Sequence, residues 1–184
     1  MPPSASPNRI IAVFGSAQSV PGDGVYEDGV RCGELLAAAK FTVATGGYAG
    51  LMEAVSRGAR AAGGTVIGVT APTVFPDRPG ANAYVDREHP APSLLDRIHT
   101  LTSQSDAAIT LPGSLGTLTE LVAAWNLAFV ARFSNTPPKP IVTVGSEWAT
   151  LVDHLAQALN ADRRLVTTVD TVEAAVVKVT ELLG

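Results

Sequence analysis

The run Leu111-Pro112-Gly113-Ser114-Leu115-Gly116-Thr117-Leu118-Thr119-Glu120 joins an apolar segment to a long amphipathic one through a glycine turn. It has the form of strand, turn and helix start. A helix that begins on such a turn gathers unsatisfied backbone N–H groups at one spot, and its dipole adds roughly half a positive charge there. A phosphate fits at that spot without any lysine. Recognition of a small anionic ligand is therefore the chemistry expected of Gly113, Ser114, Leu115, Gly116 and Thr117. The turn lacks the P-loop lysine, and neither it nor the earlier turn Gly15-Ser16 completes the dinucleotide fingerprint. ATP hydrolysis and nicotinamide redox chemistry both lose ground. Thr117-Leu118-Thr119-Glu120 also has the form of a capping box, which gives Glu120 a structural use at the helix start. At about 100° per residue, however, Glu120 stands roughly 200° around the helix from Leu118, off the core stripe and free to face a ligand. His89, His99 and His154 share no metal-ligand spacing with one another or with Cys32, so no metal is expected.

The elements that must carry these residues are legible as apolar runs. Ile10 to Phe14 ends at Gly15-Ser16, Phe41 to Ala44 ends near Gly46-Gly47, and Thr65 to Val69, Ala107 to Leu111 and Ile141 to Val144 follow. Solid runs of this kind are expected of strands buried on both faces. Between them, Leu118, Leu121, Val122, Trp125 and Phe129 recur at helical spacing, as do Leu151, Leu155 and Leu159, and both sets are expected to be core stripes. Alternating strands and helices imply an α/β fold, a Rossmann-like doubly wound parallel sheet with helices on both faces. Ligands then bind beyond the carboxyl ends of the strands, where the strand order reverses. With the order 3-2-1-4-5, Gly15-Ser16 faces Gly113 to Thr117 across that crevice. Ala71 to Pro92 carries five prolines and no clear period, so it is expected to be an irregular loop lying over the site.

Composition narrows the partners. The 184 residues suit one domain, expected over 9–184, preceded by a flexible Pro/Ser-rich tail over 1–8. Hydrophobic residues make up 46% and charged residues 16%, enough apolar material for a substantial core. A formal charge of -4 without a Lys/Arg run argues against nucleic acid and anionic membranes as partners. A single cysteine, Cys32 in a helical pattern, reads as a small buried hydrophobe. No signal-peptide core or membrane-length run occurs, so a cytoplasmic protein is expected.

The wording of the turns adds a resemblance. Pro112-Gly113-Ser114-Leu115-Gly116-Thr117-Leu118-Thr119-Glu120 resembles the PGGxGTxxE signature of the LOG (Lonely Guy) family, once labelled lysine decarboxylase-like. Thr45-Gly46-Gly47-Tyr48-Ala49-Gly50-Leu51-Met52 is similar to that family's other glycine turn, and the resemblance extends from about Ile10 to Val144. It implies a phosphoribohydrolase that cleaves the N-glycosidic bond of a cytokinin-type or adenine nucleoside 5'-monophosphate to free base and ribose 5-phosphate. It implies no cofactor. By the same resemblance Glu120 and Arg97 are the catalytic pair, and Gly15, Ser16, Gly46, Gly47, Gly50, Gly113, Ser114, Leu115, Gly116 and Thr117 bind the substrate and its phosphate. A carboxylate suits the positive charge that develops on the sugar ring, and an arginine suits orientation of the nucleotide. Family members are typically dimers, so a homodimer is expected, with Trp125, Phe129 and Phe133 as sources of apolar contact.

Two residues depart from the pattern. Ser114 stands at the second glycine of PGGxGT, where a side chain crowds the phosphate if the backbone needs a positive φ and is harmless if it acts as a helix N-cap. Ile98 follows Arg97 where well-characterised members have lysine, which removes one positive charge. A molybdenum cofactor carrier of the same superfamily, holding a phosphorylated pterin without chemistry, is the alternative that this leaves open. Glu53, favoured by the helix dipole, is a secondary site candidate, and His99 is placed to line the same crevice as Arg97. Lysine decarboxylation would require a lysine bound to pyridoxal phosphate, and Lys40, Lys139 and Lys178 all lie away from the glycine turns.

Overall fold

In the computed structural model, which describes residues 9–78 and 80–184, side chains alternate across every central strand. Ile11 and Val13 of β1 (Ile10–Phe14) point to one face with Val43, Val66, Ile109 and Val142, while Ala12 and Phe14 point to the other with Ala44, Ile67 and Ala108. Both sets are buried, which is why these strands read as unbroken apolar runs. The expected tail, 1–8, lies outside the described residues.

The strands form one parallel sheet of seven in the order β4-β3-β2-β1-β5-β6-β7. Around β1 lie β2 (Thr42–Thr45), β3 (Val66–Thr70) and β4 (Arg87–Pro90) on one side. On the other lie β5 (Ala107–Thr110), β6 (Ile141–Val144) and β7 (Thr167–Val169). The fold is thus the expected Rossmann-like α/β type, with the order reversing at β1 and β5. Helices α1 (Gly24–Ala38), α2 (Leu51–Ala61) and α6 (Val172–Leu183) pack on the first face of the sheet. Helices α3 (Leu94–Gln104), α4 (Leu115–Ala131) and α5 (Ser146–Leu159) cover the second.

Three expectations are corrected. Ala71 to Pro92 is not irregular throughout, because its end forms β4, paired in parallel with β3 from Ile67↔Arg87 to Thr70↔Pro90. All four β4 residues are exposed, so this edge strand carries no apolar pattern; Pro90, which lacks an N–H, is tolerated at the sheet edge, and the next residue, Ala91, still donates to the Thr70 carbonyl at 2.8 Å. The stripe on α4 keeps Leu118, Leu121 and Trp125 in the core and adds Ala128, whereas Val122 is 41% exposed. On α5 Leu151 and Leu155 pack against the buried Trp148 and Val152, and Leu159 is 69% exposed. Both indoles are anchored inward, that of Trp148 donating to the Leu111 carbonyl at 3.0 Å and that of Trp125 to the Asp162 carbonyl at 3.0 Å. Cys32 is fully buried as expected, and burial pushes its thiol pKa up to about 12.

Helices α1 and α2 cross with their backbones nearly touching. A Cβ on Gly58 would fall 1.9 Å from the Val30 carbonyl oxygen, and one on Gly33 2.1 Å from that of Val55. Gly58→Ala should therefore lower the unfolding free energy by roughly 2–3 kcal/mol, despite alanine's better helix propensity. Urea denaturation checks this against Gly24→Ala, where nothing lies within 4 Å and a change under about 0.5 kcal/mol is expected.

Candidate active site at the switch point

The turns after β1 and β5 meet beyond the carboxyl ends of the strands. Ser16 N–H donates to the Pro112 carbonyl at 3.1 Å, and Leu51 N–H, opening α2, donates to the Ser16 carbonyl at 2.8 Å. Gly50 permits the second approach, since it adopts φ +73° and a Cβ there would lie 2.4 Å from the Ser16 oxygen. Three loops, after β1, β2 and β5, are thereby fixed to one another.

Helix α4 starts at this junction, with Ser114 as its N-cap. Ser114 has φ -110° and ψ -166°, extended backbone that any residue adopts, so the serine imposes no strain on the turn. Its N–H donates to Thr117 Oγ1 at 3.3 Å. Capping thus uses Ser114 and Thr117, three residues earlier than the sequence pattern indicated, and Glu120 is released from that duty. Gly113 must remain side-chain-free, because a Cβ would meet Thr117 Oγ1 at 2.1 Å.

Glu120 is 8% exposed and Arg97 7% exposed. Arg97 Nη1 and Glu120 Oε1 lie 3.4 Å apart. Helix α3, capped by Ser93 whose hydroxyl oxygen accepts from Asp96 N–H at 3.1 Å, carries Arg97 inward across the ends of β2 and β3. There Nε donates to the Val69 carbonyl at 2.7 Å and Nη2 to the Gly46 carbonyl at 3.0 Å. Arg97 is therefore neither solvated nor paired with Asp96 or Asp106, as a surface helix residue would be. Burial raises the Glu120 pKa to about 7, outweighing the opposing charge of Arg97. Burial likewise lowers the Arg97 pKa, against the pull of Glu120.

This pair sits at a cavity of about 210 Å³ whose wall includes Gly15, Ser114, Gly116, Thr117, Arg97 and Glu120. Six residues singled out from sequence are thus gathered at one place. Gly46 holds Arg97 by its carbonyl, and Ser16 acts through its backbone at the loop junction. Gly47 and Gly50 do not line the cavity, Gly113 opens onto a neighbouring one, and the Leu115 side chain is 77% exposed. Glu53 lies in an adjacent cavity, accepting from the Tyr26 hydroxyl at 3.1 Å, and His99 is exposed and lines a different, apolar one. Sequence reasoning missed Phe75, Arg78, Met52 and Leu94, which complete the wall. For Phe75 and Arg78 the available signal was the proline-rich stretch directly after a strand's carboxyl end. Among the described residues, no three His, Cys, Asp or Glu side chains are grouped as metal ligands, and no helix is long and apolar enough to cross a membrane.

Comparison with known proteins agrees with this arrangement. Residues 8–176 match the model of the SLOG cluster4 family. A Mycobacterium tuberculosis protein named cytokinin riboside 5'-monophosphate phosphoribohydrolase is 33% identical over 135 residues, 73% of this chain and 69% of that protein. Among solved structures, the molybdenum cofactor binding protein of Rippkaea orientalis superposes with a TM-score of 0.77 at 23% identity, covering 98% of this chain and 100% of its own. The molybdenum cofactor carrier protein of Chlamydomonas reinhardtii gives 0.75 at 24% identity, covering 96% and 98%. With almost its whole length matched by the family model and its glycine turns meeting at the switch point, the chain belongs to the SLOG cluster4 family of LOG-type proteins.

Proposed function

We propose that this protein hydrolyses the N-glycosidic bond of a nucleoside 5'-monophosphate, of the adenine or cytokinin type, to free base and ribose 5-phosphate. The observation that carries the reading is the buried Glu120 carboxyl, held by Arg97 at a cavity that also receives the N-terminus of α4. The phosphate binds at the turn carrying Ser114, Gly116 and Thr117, where the start of α4 and its dipole favour an anion and the Ser114 and Thr117 hydroxyls lie at hand. Anchored there, the ribose reaches the next turn of the helix, where Glu120 stands. As the bond between the anomeric carbon and the base nitrogen breaks, the sugar ring gains positive charge, which the Glu120 carboxylate stabilises. Water adds its oxygen to the anomeric carbon, and one of its protons ends on the departing base. The relative from Mycobacterium tuberculosis, named for this reaction, supports the assignment.

A second reading is a carrier that holds a phosphorylated pterin, such as molybdenum cofactor, without turnover. It rests on Ile98, buried and apolar beside Arg97, which leaves the cavity one cation poorer than the resemblance implied, and on the fold shared with the two cofactor-binding proteins. Incubation with AMP and isopentenyladenosine monophosphate, with free base separated by chromatography, distinguishes the readings. Hydrolysis predicts base release from a monophosphate at least about 100-fold faster than from the matching nucleoside, because binding energy at the phosphate serves the transition state. AMP binding with no base released from either nucleotide would overturn the hydrolase.

Gly46 offers a test remote from the bond being broken. A Cβ there would fall 1.7 Å from Arg97 Nη2 and 2.5 Å from Met52 Sδ. Gly46→Ala should displace the guanidinium and lower kcat/KM for base release by at least about tenfold, since misplaced catalytic groups are costly. The assembled protein is proposed to be a homodimer; Trp125 is buried in its own protomer, so Leu127 and Val130, exposed on α4, and Phe133, exposed just beyond its end, would supply the contact. Light scattering checks the mass.

A further inference from the structure

The cavity wall holds two cations, Arg97 and Arg78. Arg97 has little left to offer a ligand, because Nε, Nη1 and Nη2 are already engaged by the Val69 carbonyl, Glu120 and the Gly46 carbonyl. Arg78 differs. Among the described residues, no carboxylate lies within 4 Å of its guanidinium. Its guanidinium carbon lies instead 4.5 Å from the Tyr48 centroid and 4.2 Å from the Phe75 centroid, in the corner made by two rings that form an edge-to-face pair with planes 78° apart.

Two rings set nearly at right angles hold the guanidinium by cation–π attraction without engaging its N–H groups, which suit bidentate contact with phosphate oxygens. The segment that carries Arg78 is also tied down. Asn82 donates from its side-chain nitrogen to the Gly47 and Tyr48 carbonyls at 3.1 and 2.9 Å, and its backbone N–H donates to Gly47 at 2.7 Å. Tyr48, whose ring lies against Arg78, has its hydroxyl oxygen accepting from Ala71 N–H at 2.7 Å. With Arg97 and Glu120 offsetting each other, Arg78 is the uncompensated charge of the cavity.

We propose that Arg78 binds the anionic group of the ligand, opposite the N-terminus of α4, and so supplies the free cation that Ile98 does not. This rests on the reading of the cavity as a nucleoside monophosphate site. Arg78 is then an affinity and specificity residue, selecting phosphorylated over unphosphorylated ligands, and it takes no part in breaking the bond.

The test is calorimetric titration of the full chain with AMP, adenosine and inorganic phosphate, for wild type, Arg78→Gln and Arg78→Lys, alongside base-release kinetics. Arg78→Gln should weaken AMP binding by at least about tenfold while leaving adenosine within about twofold. KM for AMP should rise by the same factor with kcat within about threefold, and Arg78→Lys should recover part of the loss. Unchanged AMP affinity in a folded Arg78→Gln protein would overturn the inference, whatever the turnover. AMP binding that depends on Arg78 but yields no base would uphold it and remove the hydrolase reading instead. Wild type that binds neither AMP nor phosphate would overturn both.

Discussion

Glu120→Gln is expected to lower kcat for base release by at least about 100-fold, to leave AMP affinity within about threefold, and to stabilise the fold above neutral pH. The loss of rate is the usual size for removing a charged group aimed at the transition state. Binding should survive because, in the proposed site, the phosphate is held by α4 and not by the carboxylate. The gain in stability comes from linkage. Burial raises the folded-state pKa of Glu120 to about 7, above the ordinary carboxylate value of 4.5. A raised group favours the folded state fully below its unfolded pKa, and that contribution is lost as pH climbs through the folded value. Wild type should thus lose on the order of 2–3 kcal/mol between about pH 5 and pH 8, and Glu120→Gln, neutral throughout, should not. Denaturant midpoints across that range measure the difference. In wild type kcat/KM should rise through about pH 7, as the carboxylate ionises.

Arg97→Ala should be the more damaging change, costing roughly 3–5 kcal/mol at pH 8 together with at least about 100-fold in kcat/KM. It removes the cation facing a buried carboxylate and also orphans the Val69 and Gly46 carbonyls, which accept from Nε and Nη2. At pH 5 the stability cost should shrink, because Glu120 is then protonated and needs no counter-ion. Combining the two substitutions should recover part of the loss at pH 8, the signature of a coupled pair. Strict additivity would show that the two side chains act independently.

The central strands were legible because burial on both faces leaves no polar interruption. Ile10–Phe14 and Ile141–Val144 coincide with observed strands, Phe41 to Ala44 and Thr65 to Val69 are each shifted by one residue, and Ala107 to Leu111 runs one residue too long. The edge strand β4 was not legible, since Arg87-Glu88-His89-Pro90 is exposed and shows no apolar pattern, its side-chain bond to β3 being that of Glu88, which accepts from the Thr70 hydroxyl at 2.7 Å. The α4 stripe was legible at Leu118, Leu121 and Trp125 but not at Val122, because periodicity alone does not say where the buried face ends. At the site, the glycine turn and Glu120 were readable as a motif. The position of Arg97 against two carbonyls was not, because those contacts span 28 and 51 residues. Arg78 and Phe75 escaped notice for a similar reason, being placed by tethers to the β2 turn.

The ion pair is unequal in what each member holds up. Arg97 laces together the ends of β2 and β3, whereas among the described residues the Glu120 carboxylate makes no hydrogen bond beyond that pair. Above neutral pH this frame can exchange the carboxylate for a neutral side chain and gain robustness, but it cannot discard the arginine cheaply. Under the proposed hydrolysis the chemistry thus rests on the half of the arrangement that the fold can spare, and its loss leaves the ligand-holding frame standing.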